Sequence, residues 1–339
     1  MLDCSGKKRR YRKSAALRAS RAETVGITTL LLVLFCSSSA LADTFDLGTA
    51  GPGNWGILET GANQVTLSNN TGITVNSGAT SSQANLGINS GGQLNQSGTV
   101  VVQGTYYKFS TNVDSTTSGF TAVGGVNTTS NSKLTTAAAD ATAASTNLAA
   151  LTPNQTLGTI TASTTISATV PGRNVVNLID INMGSGTILT LSGSATQSFV
   201  INVTGTSNVS FANVSLVGGL TAANVIFNVL NGDTITDNSP GVVNGIIMDI
   251  GGMVSITNND TVNGEIISGN QISLSNNSDV QAIQTVPEAS TAAYFTLGPL
   301  SLVAVMLLHR CFSRRKQTIA RESNVPVRNA DRLPTSCRG

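Results

Sequence analysis

Between positions 43 and 286 the side chains able to do acid–base or ionic chemistry are three cations (Lys108, Lys133, Arg173) and twelve carboxylates, a net charge of −9. Two carboxylates facing one cleft would suit glycoside hydrolysis. Glu59, Asp180, Asp233, Asp249 and Glu265 are candidates, but they are scattered with no recurring spacing. A polysaccharide lyase would add a cation beside them, and Lys108, Lys133 and Arg173 are the whole supply. Only one tryptophan, Trp55, is available to stack on a sugar ring. This stretch contains no histidine or cysteine: Cys4 and Cys36 precede it, and His309, Cys311 and Cys337 follow it. Ser-His-Asp and Cys-His nucleophiles, soft-metal ligation and disulfides are therefore excluded there. Neither a glycine–aspartate calcium repeat nor an EF-hand loop is present, so no metal, cofactor or catalytic residue is expected. With no basic patch to displace counterions, nucleic acid is not a partner.

The elements that must position any site are strands. Runs rich in β-branched residues begin at Val175, Phe199, Val225, Gly245 and Glu265, and turn formers separate them. They also repeat. The nine residues from Val254 to Val262 align with those from Ile272 to Val280, 18 positions on, and Val243-Asn244-Gly245 aligns with Val262-Asn263-Gly264. A third copy, Val65 to Ile73, lies far upstream. Asn-Asn recurs at one place in the repeat, a corner where left-handed backbone is tolerated. One coil of this length suits a β-solenoid, whose coils bury apolar side chains only by stacking on the next. An antiparallel sandwich with Asn-rich hairpins is the competing architecture.

One segment is helical. Over 132–152, Leu134, Ala138, Ala141, Ser145 and Leu148 form a stripe of small residues, with Ser132 placed to cap the start and Pro153 to close the end. The fold class expected is all-β, a β-solenoid with one Ala-rich α-helix packed alongside.

Both ends of the chain carry address signals. Residues 1–24 hold eight basic side chains, an apolar core follows, and Ala40-Leu41-Ala42 is a small-x-small cleavage site leaving Asp43 as the mature start. The Arg9-Arg10 pair is followed by polar residues, so Sec-type export machinery and signal peptidase are the expected partners. Near the other end, Val286, Pro287 and Glu288 precede an uncharged stretch of 18 residues, 291–308, about one bilayer thick. Arg314, Arg315 and Lys316 then hold the far side in the cytoplasm. This order of parts resembles a PEP-CTERM sorting signal, although Ala289 replaces the usual proline and a long tail follows. The resemblance implies an exosortase-type sorting enzyme as partner. The expected division is signal peptide 1–42, N-terminal β segment 43–131, helix 132–152, solenoid coils 153–285, sorting signal 286–316 with a transmembrane helix at 291–309, and cytoplasmic tail 317–339.

The opening FDLGTAGPGNWGILETG, the NLGIN at Asn85, the Ala-rich helix and the series VIFNV, VVNGIIM and VNGEIISGNQISLSNN resemble bacterial ice-binding-like β-solenoid proteins and choice-of-anchor A surface domains. That resemblance implies a triangular solenoid with a long helix alongside, its N-terminal β segment joining the C-terminal coils. The leading functional expectation is an exported, non-catalytic surface or matrix protein bound to exopolysaccharide. Ice binding by a hydroxyl-bearing face is the alternative, with Thr66, Thr234, Thr236, Thr257 and Thr261 as ligand-face candidates. A strict threonine ladder is not expected, since Thr257 aligns with Ser275 and Asp260 with Ser278. A polysaccharide-active β-helix enzyme is the third reading.

Overall fold

Apolar residues alternate with hydroxyl and amide residues along each short strand, and stacking makes inward columns of the apolar ones. One such column runs Val176, Ile201, Phe227, Ile247, Ile266, Ile57, Leu86 and Tyr106, each paired in register with the next. All eight are buried. β-Branched and aromatic side chains suit this pleated, enclosed environment. The computed structural model describes residues 45–232, 234–237 and 240–283. The signal peptide with Ala40, Ala42 and Asp43, the sorting residues Val286, Pro287, Glu288, Arg314, Arg315 and Lys316, the helix expected at 291–309, the tail 317–339 and Asp233 lie outside these residues.

Three faces of parallel strands enclose the core. Face A stacks Gln155–Leu157, Arg173–Leu178, Ser198–Val203, Val225–Val229, the second halves of Val242–Asp249 and Thr261–Ser268, then Ile57–Glu59, Leu86–Ile88, Tyr106–Lys108 and Val126–Asn127. Face B stacks Val209–Phe211, Thr234–Asp237, Met253–Ile256, Ile272–Leu274, Gln64–Ser68 and Gln93–Ser97. Face C holds Thr164–Ser167, Ile188–Ser192 and Asn213–Val217, the first halves of the two long strands, then Asp279–Ala282, Thr71–Val75, Val100–Val102 and Phe120–Ala122.

The expected repeat is the physical stack. Val254 pairs with Ile272 and Val243 with Val262, the registers read from the sequence. Val65 in turn pairs with Ile272, so the N-terminal coils continue the stack beyond the C-terminal ones. Among the described residues one α-helix, α1 (Asn131–Ala149), returns the chain from the Val126–Asn127 end of face A to the Gln155–Leu157 end. Nineteen residues give it a length of roughly 28 Å.

Helix α1 buries Leu134, Ala137, Ala141, Ala144, Ser145 and Leu148 against Val200, Ile226, Met248 and their neighbours on the outer side of face A. Ala137 and Ala144 thus take part in the stripe, whereas Ala138 is only half-buried. Ser132 falls inside the helix rather than capping it; Ser130 is at the cap position and makes no side-chain cap hydrogen bond. The N-terminal segment clasps the helix: Thr49 donates its amide and its hydroxyl to Asp140 Oδ2, both at 2.7 Å, and Trp55 Nε1 donates to Thr49 O at 2.8 Å.

Candidate functional site

Face B carries polar, uncharged side chains in register. Its outward positions form three rows along the stack. The central row runs Ser210, Thr236, Ser255, Ser273, Thr66 and Asn95 in unbroken register; Ser210 is buried at one end and the other five are half-buried. Single bridges extend it to Asn182 at one end and Ser115 at the other. A second row holds Thr234 beside Met253 and Gln64 beside Gln93, with Gln271 between them, one residue ahead of the paired Ile272. The third row follows the paired Ile256, Leu274 and Leu67 and comprises Thr257, Ser275, Ser68 and Ser97.

These three rows carry no charge. Strand spacing sets about 4.8 Å between rungs, and alternation along a strand sets about 6.7 Å between rows. Behind them Val65, Leu67, Ile235, Val254, Ile256, Ile272 and Leu274 are buried, so the grid rests on a packed support. Side-chain contacts restrict it further: Thr66 Oγ1 donates to Gln64 Oε1 at 3.2 Å and Ser210 Oγ to Met183 O at 3.3 Å. Such a surface can hold water in a periodic pattern. The three rows hold no carboxylate, imidazole or amine to act as a general base for their hydroxyls.

The structure sorts the threonine candidates. Thr66 and Thr236 share the central row, Thr234 stands in the flanking row and Thr257 lies on the rim. Thr261 belongs elsewhere: it pairs with Asp279 and Val242 on face C. Ser210, Ser255, Ser273 and Asn95 were missed because a threonine-only pattern ignores serine and asparagine. The repeat alignment holds the missing signal, for Ser255, Ser273 and Thr66 occupy one column of it.

At the vertex between faces B and C, Asn258–Asn259, Asn276–Asn277 and Asn69–Asn70 take left-handed φ of 57–69°, and among the described residues no other non-glycine residue has positive φ. The corner foreseen from the Asn-Asn repeats is thus real.

The carboxylates do not assemble a cleft. Glu59, Asp180, Asp249 and Glu265 are all buried. Glu59 Oε1 and Oε2 accept the amides of Asn63 and Asn89, and burial pushes its carboxyl up to about 7. Burial also raises Asp260 to about 6 and Glu265 well above the usual carboxylate range. The cations are engaged elsewhere: Lys108 Nζ bonds Asp114 Oδ2 at 2.6 Å, and Lys133 Nζ sits 4.8 and 4.4 Å from the Trp55 and Tyr107 ring centres. Trp55 is fully buried, so it cannot stack on a sugar. Among the described residues no group of three or more His, Cys, Asp or Glu side chains is placed to hold a metal, and no helix is long and apolar enough to cross a membrane.

Parallel coils, a return helix and an uncharged, in-register hydroxyl face define a β-solenoid of the ice-binding type. The Ice-binding-like family model matches residues 66–280, and the chain belongs to that family. Among solved structures, the ice-binding protein of the Antarctic ascomycete Antarctomyces psychrotrophicus is 19% identical over 73% of this chain and 100% of its own, with a TM-score of 0.48. The glycosylated ice-binding protein LeIBP from Arctic yeast is 18% identical over 73% of this chain and 97% of its own, with a TM-score of 0.48. The DUF3494 domain of a Shewanella frigidimarina ice-binding protein is 13% identical over 73% and 100%, with a TM-score of 0.47. Family membership rests on the match over 66–280 rather than on these likenesses. No curated protein matches the chain. The family overturns the expectation of an exopolysaccharide-bound matrix protein.

Proposed function

We propose that this protein binds ice through face B, without catalysis. The observation that carries the proposal is the central row, five partly exposed hydroxyl or amide side chains from Thr236 to Asn95 in consecutive register on an uncharged face. Each rung anchors water at an interval the strands fix, and a crystal that incorporates this water meets many weak contacts at once. Thr66, Thr234, Thr236 and Thr257 belong to the binding surface; Thr261 does not.

Export by Sec-type machinery and cleavage by signal peptidase before Asp43 bring the body outside the cell, and the sorting segment around Val286, Pro287 and Glu288, with its membrane helix at 291–309, directs it to an exosortase-type enzyme. Clustered basic residues in the signal and the small-x-small site at Ala40 and Ala42 support this route. Thermal hysteresis and the shaping of a growing ice crystal test the function: the exported body should produce both. A folded body that produces neither refutes the proposal.

A further inference from the structure

We infer that the ice-binding surface continues past the rim of face B onto the B/C vertex, where the side chains of the paired asparagines contact the crystal. The inference rests on the ice reading of face B and extends it to residues outside its three rows.

Two relays of amides run along the vertex. Asn69 Nδ2 donates to Asn276 Oδ1 at 3.1 Å and Asn276 Nδ2 to Asn258 Oδ1 at 3.5 Å. In the neighbouring relay Asn70 Nδ2 donates to Asn277 Oδ1 at 3.2 Å and Asn277 Nδ2 to Asn259 Oδ1 at 2.9 Å. All six residues are exposed, so their side chains are not retained to fill the core.

The backbone alone does not require them. Left-handed φ disfavours any residue with a Cβ, and the next coil turns the same vertex with Gly98 at φ 70°, its neighbour Ser97 accepting the Asn69 amide. Glycine therefore satisfies the corner, yet three successive coils place asparagine there twice each. What asparagine adds is a polar side chain held still. The middle amides, Asn276 and Asn277, each spend one N–H and one oxygen lone pair along the stack and keep a second N–H and lone pair for solvent, while the end amides spend only one of the two. These repeat at the strand spacing, about 4.8 Å, that also sets face B. Asn258 Nδ2 donates to Thr257 Oγ1 at 2.9 Å, joining the amide rows to the rim row. Exposed amides ordinarily lose rotamer freedom when they bind; the relay has already removed it.

The test compares the full chain with Thr66→Tyr and with the double variant Asn276→Gly/Asn277→Gly, measuring thermal hysteresis at equal concentration alongside the melting midpoint. Glycine keeps the left-handed corner, so the double variant should stay folded at the assay temperature while its hysteresis falls about twofold or more. The single variant Asn70→Gly, at the end of one relay, should lose less. It serves as the reading if the double variant does not fold. Parental hysteresis in both asparagine variants, with loss in Thr66→Tyr, would overturn this inference and leave face B standing. No hysteresis in the parent chain would instead remove the ice reading, and this inference with it.

Discussion

Ser145 and Asn228 hold each other across the boundary between helix α1 and face A: Ser145 Oγ donates to Asn228 Oδ1 at 2.8 Å, and Asn228 Nδ2 returns a bond to Ser145 O at 3.0 Å. Asn228 also donates to Asn202 Oδ1 at 2.9 Å, and Asn202 to Leu148 O at 3.0 Å. All of this is buried, where an unmet polar group is costly. Asn228→Ala should cost about 2–4 kcal/mol by denaturant unfolding, because it strands Ser145 Oγ and Asn202 Oδ1. Face B lies on other strands, so the variant's ice affinity per folded molecule should be unchanged.

Two threonines that the sequence grouped together should part in solution. Tyrosine in place of Thr66 raises a ring above the central row and should abolish ice shaping, whereas Thr261→Tyr, on face C, should leave it intact. Neither residue is in the core, so unfolding free energies should stay within about 0.5 kcal/mol of the parent. Equal loss in both variants would show that face B is not the binding surface.

Burial of carboxyls makes the fold acid-favouring. Unfolded, these acids lose their protons near the ordinary values of 4.5 for Glu59 and 3.8 for Asp260; folded, they hold them to about 7 and about 6. Across that window the native state binds more protons than the unfolded one, so stability falls as pH rises, by at most about 1.4 kcal/mol per pH unit for each group. Glu265 extends the same trend, since both its oxygens are buried without a hydrogen-bond partner. Glu265→Gln copies the shape of the protonated acid and cannot ionise. Its unfolding free energy should match the parent's near pH 4 and exceed it at pH 8. Superimposable pH profiles would refute the assignment.

At the vertex between faces C and A, Gly264 stacks directly on Gly245. A Cβ on Gly264 would overlap the Gly245 carbonyl oxygen. Backbone cannot yield there without spoiling the ladder, so Gly264→Ala should destabilise by about 3 kcal/mol or more, or prevent folding. Circular dichroism melting of the purified variant checks it.

Much of the solenoid could be read in the chain because stacking repeats leave a record. Val254, Ile272 and Val65 share a column in the sequence and a column in space, and Asn-Asn marks a corner because few other residues accept its φ. The helix announced itself by small residues at helical spacing. Leu134, Ala141, Ser145 and Leu148 are buried as their spacing implies, and the stripe widens to Ala137 and Ala144, side chains small enough to lie against face A. The site was half legible. A hydroxyl face requires only that side chains be small, polar and in register, so serine and asparagine substitute for threonine, and a search for one residue type overlooked Ser255 and Ser273. Thr261 was misplaced because a vertex lies between it and Thr257, and a period of 18 or 19 does not say which face a residue occupies. Trp55 is covered by Tyr107 and Lys133, contacts made across more than fifty residues of sequence.

The seam where Ile57–Glu59 lies on Thr261–Ser268, and Gln64–Ser68 on Ile272–Leu274, joins the first coils of the described chain to its last. Synthesis from the N-terminus delivers these halves in the wrong order for stepwise growth. The early coils emerge with no layer to settle on, and they must wait, unfolded, for the partner strands around residues 261–282. Folding is thereby deferred until nearly the whole body has been delivered, which gives assembly the slow, long-range character of a high-contact-order topology.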